Sequence, residues 1–251
     1  MPASAASSRS WLTRAPIAHR GLHDLDAGRP ENSLAAFARC CDTGFAAELD
    51  VRLSRDGEVV VFHDRAVRRL TGAAGRVEDL SAAEVTRLEI LGTGQRVPLL
   101  RDVLALVAGR VPLLLELKPC ALGPVLELGV VRALEGYRGP VAIQSFKRRS
   151  LRHLDRCEAP HAVGHLWRRL RVVGGPMPRP AFYGCHVATA GSPAVRRRRE
   201  AGAIVVAWTV RSPEQAARAL RHVDNYIFEG FVPELAEHGV SAPRSAAAAS
   251  R

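Results

Sequence analysis

A chain of 251 residues, 47% of them hydrophobic, is long enough to bury a sizeable core and has the length of one large α/β domain. Lys and Arg number 36 against 25 Asp and Glu, a net charge of +11 that attracts anionic partners. The arginine clusters (Arg148-Arg149, Arg168-Arg169, Arg171 and Arg196 to Arg199) carry no interleaved aromatic residues, so they read as solvated helix faces and no nucleic-acid partner is expected. The five cysteines (Cys40, Cys41, Cys120, Cys157 and Cys185) show no CxxC or Cys/His spacing, which argues against a zinc site or a disulfide framework. With no apolar leader and no run long enough for a membrane span, the expectation is a soluble cytoplasmic protein. Its basic surface leaves room for peripheral contact with an anionic membrane.

Tails are expected at 1–14 and 241–251, both rich in Ser and Ala. Between them, over 15–240, short β-branched runs alternate with helical patterns, the signature of a parallel α/β sheet or barrel. The expected strands are 16–19, 46–51, 58–63, 112–118, 140–145, 161–166, 181–187, 203–210 and 225–228, one more than an eight-stranded barrel needs. The connection "RLSRDG" is too short for a crossover helix, so the second and third strands should pair as a hairpin. Helical patterns fill most other gaps, from "ENSLAAFARCCDT" through "SPEQAARALRH" to "VPELAEHG", and several of them open at Ser or Pro and close at Gly. The stretch from about 64 to 98 is too long for a simple βα loop and reads as a small insertion covering one end of the sheet.

The strand ends carry the chemistry. "AHRG", "ELD", "FHD" and "ELK" close four strands. Strand side chains alternate, so Glu48 and Asp50 share one face, as do Glu116 and Lys118. Barrel interiors are normally apolar, and unpaired buried charges cost several kcal/mol each, which makes accident a poor account of so many. Three carboxylates without a Cys or His-rich shell favour one hard divalent cation, Mg²⁺ or Ca²⁺. Arg20 and Lys118 suit a phosphoryl oxygen, and His19 and His63 suit general acid and base roles. Together these residues form an apparatus for cleaving a phosphate ester.

In order and spacing, "HRG", "PENSLAAF", "ELDVRLSRDGEVVVFHD", "RLTGAAGRVEDL", "VPLLRDVL" and "LLLELK" resemble the successive motifs of the glycerophosphodiester phosphodiesterase family. The resemblance is strong over 16–118 and weaker through "IQSF" and "VVAWTV". It implies a TIM-type (β/α)8 barrel, hydrolysis of a glycerophosphodiester to glycerol 3-phosphate and an alcohol, and one divalent ion. It carries the metal-ligand role onto Glu48, Asp50 and Glu116, acid-base catalysis onto His19 and His63, and phosphate contacts onto Arg20 and Lys118. Glu31 is a candidate pocket residue, while Asn32 could serve only as a helix N-cap. Trp208 could wall a glycerol pocket or simply pack in the core, and His23, Asp24 and Asp26 would edge the substrate.

Two positions depart from the family's usual pattern. Arg211 stands where Asn is usual, and Glu229-Gly230 where a Thr-Asp pair is usual; both are expected on the rim, clear of the metal, the histidines and the phosphate clamps. Two other readings compete with hydrolysis: a lyase acting on intact phospholipids with nearly the same residues, and a non-catalytic barrel that binds anions.

Overall fold

The computed structural model describes residues 10–119, 123–168 and 178–235. Nine strands occur in it: β1 (Ile17–Ala18), β2 (Ala46–Leu53), β3 (Val59–Val61), β4 (Leu113–Leu117), β5 (Val141–Ser145), β6 (Ala162–Trp167), β7 (Phe182–His186), β8 (Ile204–Val210) and β9 (Asn225–Phe228). The helices are α1 (Leu34–Thr43), α2 (Arg68–Thr71), α3 (Ala82–Val85), α4 (Leu100–Val107), α5 (Val125–Ala133), α6 (Arg148–Arg156), α7 (Pro193–Glu200) and α8 (Pro213–Leu220). Eight strands pair in parallel in the order β1-β2-β4-β5-β6-β7-β8-β9, and β9 returns to β1, so the sheet closes into a (β/α)8 barrel. The ninth strand, β3, is the antiparallel partner of β2, with Val51 opposite Val61. The second half of the helical pattern expected at 232–239 lies outside the described residues.

The strands are apolar because a parallel barrel is covered on both sides. Outside, Phe37, Leu104, Val130, Leu154, Val195 and Ala219 of the helices pack on strand residues such as Ala47, Leu115, Ile143 and Val205. Inside, each barrel strand gives one residue to a single buried cluster: Ile17, Ala46, Leu114, Ala142, Ala162, Phe182, Val206 and Ile227. Trp11 and Leu12 complete that cluster from a short 3-10 helix, Ser10–Thr13, and are 6% and 0% exposed. Asn225 ties this plug down by donating to the carbonyls of Leu12 and Ala15 at 2.8 and 2.7 Å. The expectation of a tail up to residue 14 is therefore corrected: residues 10–14 close the floor of the barrel, because Trp11 and Leu12 supply apolar surface that the small interior alanines leave room for.

Counting two residues onward from the interior cluster reaches the next inward-facing layer, where the barrel changes character. Those positions are His19, Glu48, Glu116, Gln144, Gly164, Gly184, Trp208 and Glu229. The two glycines make room for neighbours: a Cβ on Gly164 would lie 2.2 Å from the Phe182 ring, and one on Gly184 would lie 2.2 Å from Leu166. Gly164→Ala should therefore destabilise the protein by about 1–3 kcal/mol through overpacking. Urea unfolding measures this, and an unchanged midpoint would mean that the ring is free to move aside.

The segment between β3 and α4 has its own small core, in which Val67, Leu70, Val77, Val85, Ile90 and Val97 pack on Val60 and Phe62 of the hairpin. Its helix α2 carries Arg69 toward the carboxyl end of the barrel, where the candidate residues converge.

Candidate active site

The turn after β1 answers why a strand should end in His-Arg-Gly. Arg20 and Gly21 both have left-handed backbone, φ +55° and +76°. A Cβ at Gly21 would meet Cβ of Ala36 at 2.9 Å, so only glycine fits against α1 there. This turn aims the backbone N–H of Arg20 at Glu48 Oε2, 3.0 Å away. Asn32, φ +57°, donates to Asp50 Oδ2 at 3.0 Å and accepts from the Asp50 N–H at 3.2 Å. The N-cap of α1 is Ser33, whose hydroxyl accepts from the N–H of Ala36, so the suggestion that Asn32 is a cap is corrected. Its side chain is spent on holding a buried carboxylate.

Glu48, Asp50 and Glu116 are 1%, 0% and 8% exposed, and one carboxylate oxygen from each lies within 4.8 Å of the others. Burial, and then repulsion from Asp50 and Glu116, push the Glu48 carboxyl well above its usual range. Burial likewise raises Glu116, to about 7, against the pull of Lys118. Burial also opposes ionisation of Asp50, but Lys118 and Arg20 together hold its carboxyl below the usual range. Lys118 Nζ lies 3.0 Å from Asp50 Oδ1 and pairs with Glu116, while Arg20 Nε lies 3.1 Å from Asp50 Oδ2. Glu48 Oε1 is buried and has no hydrogen-bond partner. An orphaned carboxylate oxygen in a cluster of hard oxygen donors is what a divalent cation would complete, so these three residues fit such an ion.

His63 follows β3, and the hairpin brings it to the end of β2: the Phe62 N–H donates to the Asp50 carbonyl at 2.9 Å, and Arg52 donates twice to the His63 carbonyl, at 2.9 and 2.7 Å. Its Nδ1 lies 2.7 Å from Asp64 Oδ1. Asp64 pairs in turn with Arg69, which also grips Glu31 at 2.7 and 2.9 Å; Glu31 accepts from Arg20 at 2.7 Å as well. Burial, reinforced by the positive charges of Lys118 and Arg20, lowers the His63 pKa in spite of Asp50 and Asp64.

His19 Nδ1 meets Glu229 Oε2, and Glu229 Oε1 lies 2.5 Å from Arg211. The expectation that Arg211 and Glu229-Gly230 stand clear of the histidines is overturned here. Glu229 is two residues beyond Ile227 and so faces inward, within reach of β1. The signal was present in the sequence, since the alternation that selects Glu48 after Ala46 also selects Glu229 after Ile227. The hydrogen bond from His19, opposed by burial and aided by the charges of His19 and Arg211, pulls the Glu229 carboxyl down to about 2.

Trp208 is half-buried on the inward face of β8. It stacks edge-on with Phe146 (centroids 5.3 Å apart) and His186 (5.1 Å), and these aromatic groups form the wall contributed by β5, β7 and β8. A cavity of about 420 Å³ opens beside Glu229, lined among others by Gly21, His23, Asp24, Arg29 and Phe231. His23 and Asp24 thus edge a recess next to His19, whereas Asp26 is outside its lining. Glu31 stands apart from the carboxylate triad, between two arginines.

Comparison with known proteins agrees with this fold. The sequence model of the glycerophosphoryl diester phosphodiesterase family matches residues 19–224. A glycerophosphodiester phosphodiesterase of Caldanaerobacter subterraneus subsp. tengcongensis is 37% identical over 164 residues, covering 61% of this chain and 66% of that protein. The YhdW protein of Bacillus subtilis, also named for this activity, is 34% identical over 144 residues, covering 54% of this chain and 58% of its own length. The matches thus span less than two thirds of these relatives, 66% of the first and 58% of the second. Among solved structures, a phosphodiesterase of Oleispira antarctica in complex with the product sn-glycerol-3-phosphate superposes with a TM-score of 0.76 at 24% identity, over 86% of this chain and 93% of that one. A glycerophosphodiester phosphodiesterase of Thermotoga maritima superposes with a TM-score of 0.69 at 25% identity, over 85% and 93%. The chain belongs to the glycerophosphoryl diester phosphodiesterase family.

Proposed function

We propose that this protein hydrolyses glycerophosphodiesters to glycerol 3-phosphate and an alcohol, using one divalent cation, Mg²⁺ or Ca²⁺, and the histidine pair His19 and His63. The observation that carries the reading is the meeting of three buried carboxylates, two histidines with carboxylate partners, and Arg20 and Lys118 at one barrel mouth. Family membership and the product held by the Oleispira antarctica relative support the substrate class.

Glu48, Asp50 and Glu116 would hold the cation, whose positive charge would neutralise the phosphodiester oxygens as negative charge builds there. Arg20 offers a planar fork and Lys118 a point charge to the same oxygens. His63, whose pKa burial and the neighbouring cations lower, has Nδ1 on Asp64, which leaves the lone pair on Nε2 and suits it to take the proton from the attacking oxygen. His19, with Nδ1 on Glu229, has Nε2 left to give a proton to the departing alcohol oxygen as the P–O bond breaks. Phe146, His186 and Trp208 wall the mouth opposite the carboxylates and would exclude water from the organic part of the substrate.

The test is incubation of the purified chain with glycerophosphocholine and glycerophosphoethanolamine, with and without a chelator. Release of glycerol 3-phosphate that stops on chelation and returns with Mg²⁺ or Ca²⁺ is expected. A cyclic phosphate as the end product would move the protein to the lyases. Salt-sensitive binding of anionic vesicles without turnover would make it a binding module. Among the described residues no helix is long and apolar enough to cross a membrane.

A further inference from the structure

His19 and His63 are served by two arrangements of the same order. Each imidazole places Nδ1 on a carboxylate, and each carboxylate places its other oxygen on an arginine: His63, Asp64, Arg69 on one side and His19, Glu229, Arg211 on the other. The first is local, since His63 and Asp64 are adjacent. The second draws on three barrel strands. The His19 N–H donates to the Phe228 carbonyl at 2.9 Å and the Glu229 N–H donates to the Val210 carbonyl at 3.0 Å, which sets the backbone of Glu229 between the ends of β1 and β8. Gly230 then turns with φ +78°, a conformation that glycine adopts without strain.

Glu229 uses both oxygens, one for each partner, and lies outside the carboxylate triad, so it does not complete a metal site. Its negative charge would repel a phosphate. Arg211 is 62% exposed, so its ion pair adds little stability by itself. The Arg211 N–H donates to Gln215 Oε1 at 2.7 Å, which fixes its backbone at the start of α8 and leaves the guanidinium to hold Glu229 in one rotamer. Arg211 and Glu229, two of the residues expected to stand clear of the histidines, are thus in contact with each other, and the contact ends on His19.

We infer that Glu229, steadied by Arg211, is a positioning residue for His19: it holds the Nδ1–H, so that Nε2, the atom that carries the transferred proton, faces the oxygen of the departing alcohol. The inference rests on the reading above that His19 is the proton donor. It goes further in predicting that Arg211 and Glu229 act as one unit and that the unit matters only where the leaving group needs a proton.

The experiment compares wild type, Glu229→Ala, Glu229→Gln, Arg211→Ala and the Arg211/Glu229 double alanine variant on two diesters. One is glycerophosphocholine, whose alkoxide must be protonated as it leaves. The other is the p-nitrophenyl ester of glycerol phosphate, whose phenolate leaves unaided. Glu229→Ala should lower kcat on glycerophosphocholine by about 30-fold or more, a good part of what a general acid contributes, with KM changed by less than about 3-fold and the aryl ester slowed by less than about 3-fold. Glu229→Gln, which can still accept from Nδ1–H, should recover much of the rate. Arg211→Ala should show the same split at smaller size, and the double variant should be no worse than Glu229→Ala. Equal losses on both esters, or none, would overturn the inference. A wild type inactive on every diester would instead defeat the functional reading, and the positioning claim would still be decided by the ring ¹⁵N signals of His19. An Nδ1–H signal that is present in wild type and lost in Glu229→Ala supports the claim, and an unchanged ring spectrum contradicts it.

Discussion

His63→Ala should lower kcat for glycerophosphodiester hydrolysis by about 10²–10⁴-fold, the range over which a positioned acid or base contributes, and should do so on alkyl and aryl esters alike. His19→Ala should lose a similar factor on an alkyl ester and much less on a p-nitrophenyl ester. The asymmetry comes from the environments. Burial, aided by the charges of Lys118 and Arg20 and opposed by Asp50, lowers the His63 pKa and favours the neutral ring that can act as base. His19 is tied to Glu229 on the other side of the mouth. Neither ring is part of an apolar cluster, so both variants should unfold within about 1 kcal/mol of wild type. Retention of most of the rate by either variant removes that residue from the acid-base pair. Loss of both substrates to the same extent in both variants removes the division of roles.

Glu48→Gln should weaken divalent-ion binding by about 10²-fold and activity with it, because it removes one of three charges from the site. A second consequence concerns the metal-free protein. Carboxyls whose pKa is raised by folding contribute stability that is complete below their usual value of 4.5 and is lost as the pH rises through the folded value. With Glu116 near 7 and Glu48 well above its usual range, the chelated wild type should lose stability as the pH climbs from about 5 to 8. Added Mg²⁺ or Ca²⁺ should restore it with release of protons, and Glu48→Gln should flatten the dependence. Thermal unfolding across that range, with and without chelator, measures all three. A chelated wild type whose stability holds steady from pH 5 to 8 would argue that the three acids do not strain one another.

The barrel was legible because its strands are covered on both faces. "LLLEL" after Pro112 and "IVVAWTV" before Ser212 can be little else than buried strands, and all nine expected strands occur. The pairing of β2 with β3 followed from a connection too short to cross the sheet. The carboxylate triad and both histidines were legible because charge at the end of an apolar run has no place in a core. The misses have physical causes too. Trp11 and Leu12 sit in a Ser- and Ala-rich start whose composition conceals two large apolar side chains. Asn32 resembles a cap because asparagine commonly is one, and only the turn at Arg20 and Gly21 shows that its amide is needed by Asp50. Glu229 was read as a departure from a pattern instead of as the next inward position after Ile227. The role of Arg69 depends on how the segment after β3 folds back over the barrel mouth, a long-range fact that local pattern does not carry.

The central claim is that one cation and one phosphate share the mouth with both histidines, and crystals grown with Mn²⁺ and glycerol 3-phosphate test it most directly, since Mn²⁺ is located by its anomalous signal. The expected result is a single ion bound to oxygens of Glu48, Asp50, Glu116 and the phosphate, at about 2.0–2.6 Å, with the phosphate also touching Arg20. An ion held elsewhere, or a phosphate bound away from His19 and His63, would contradict the account.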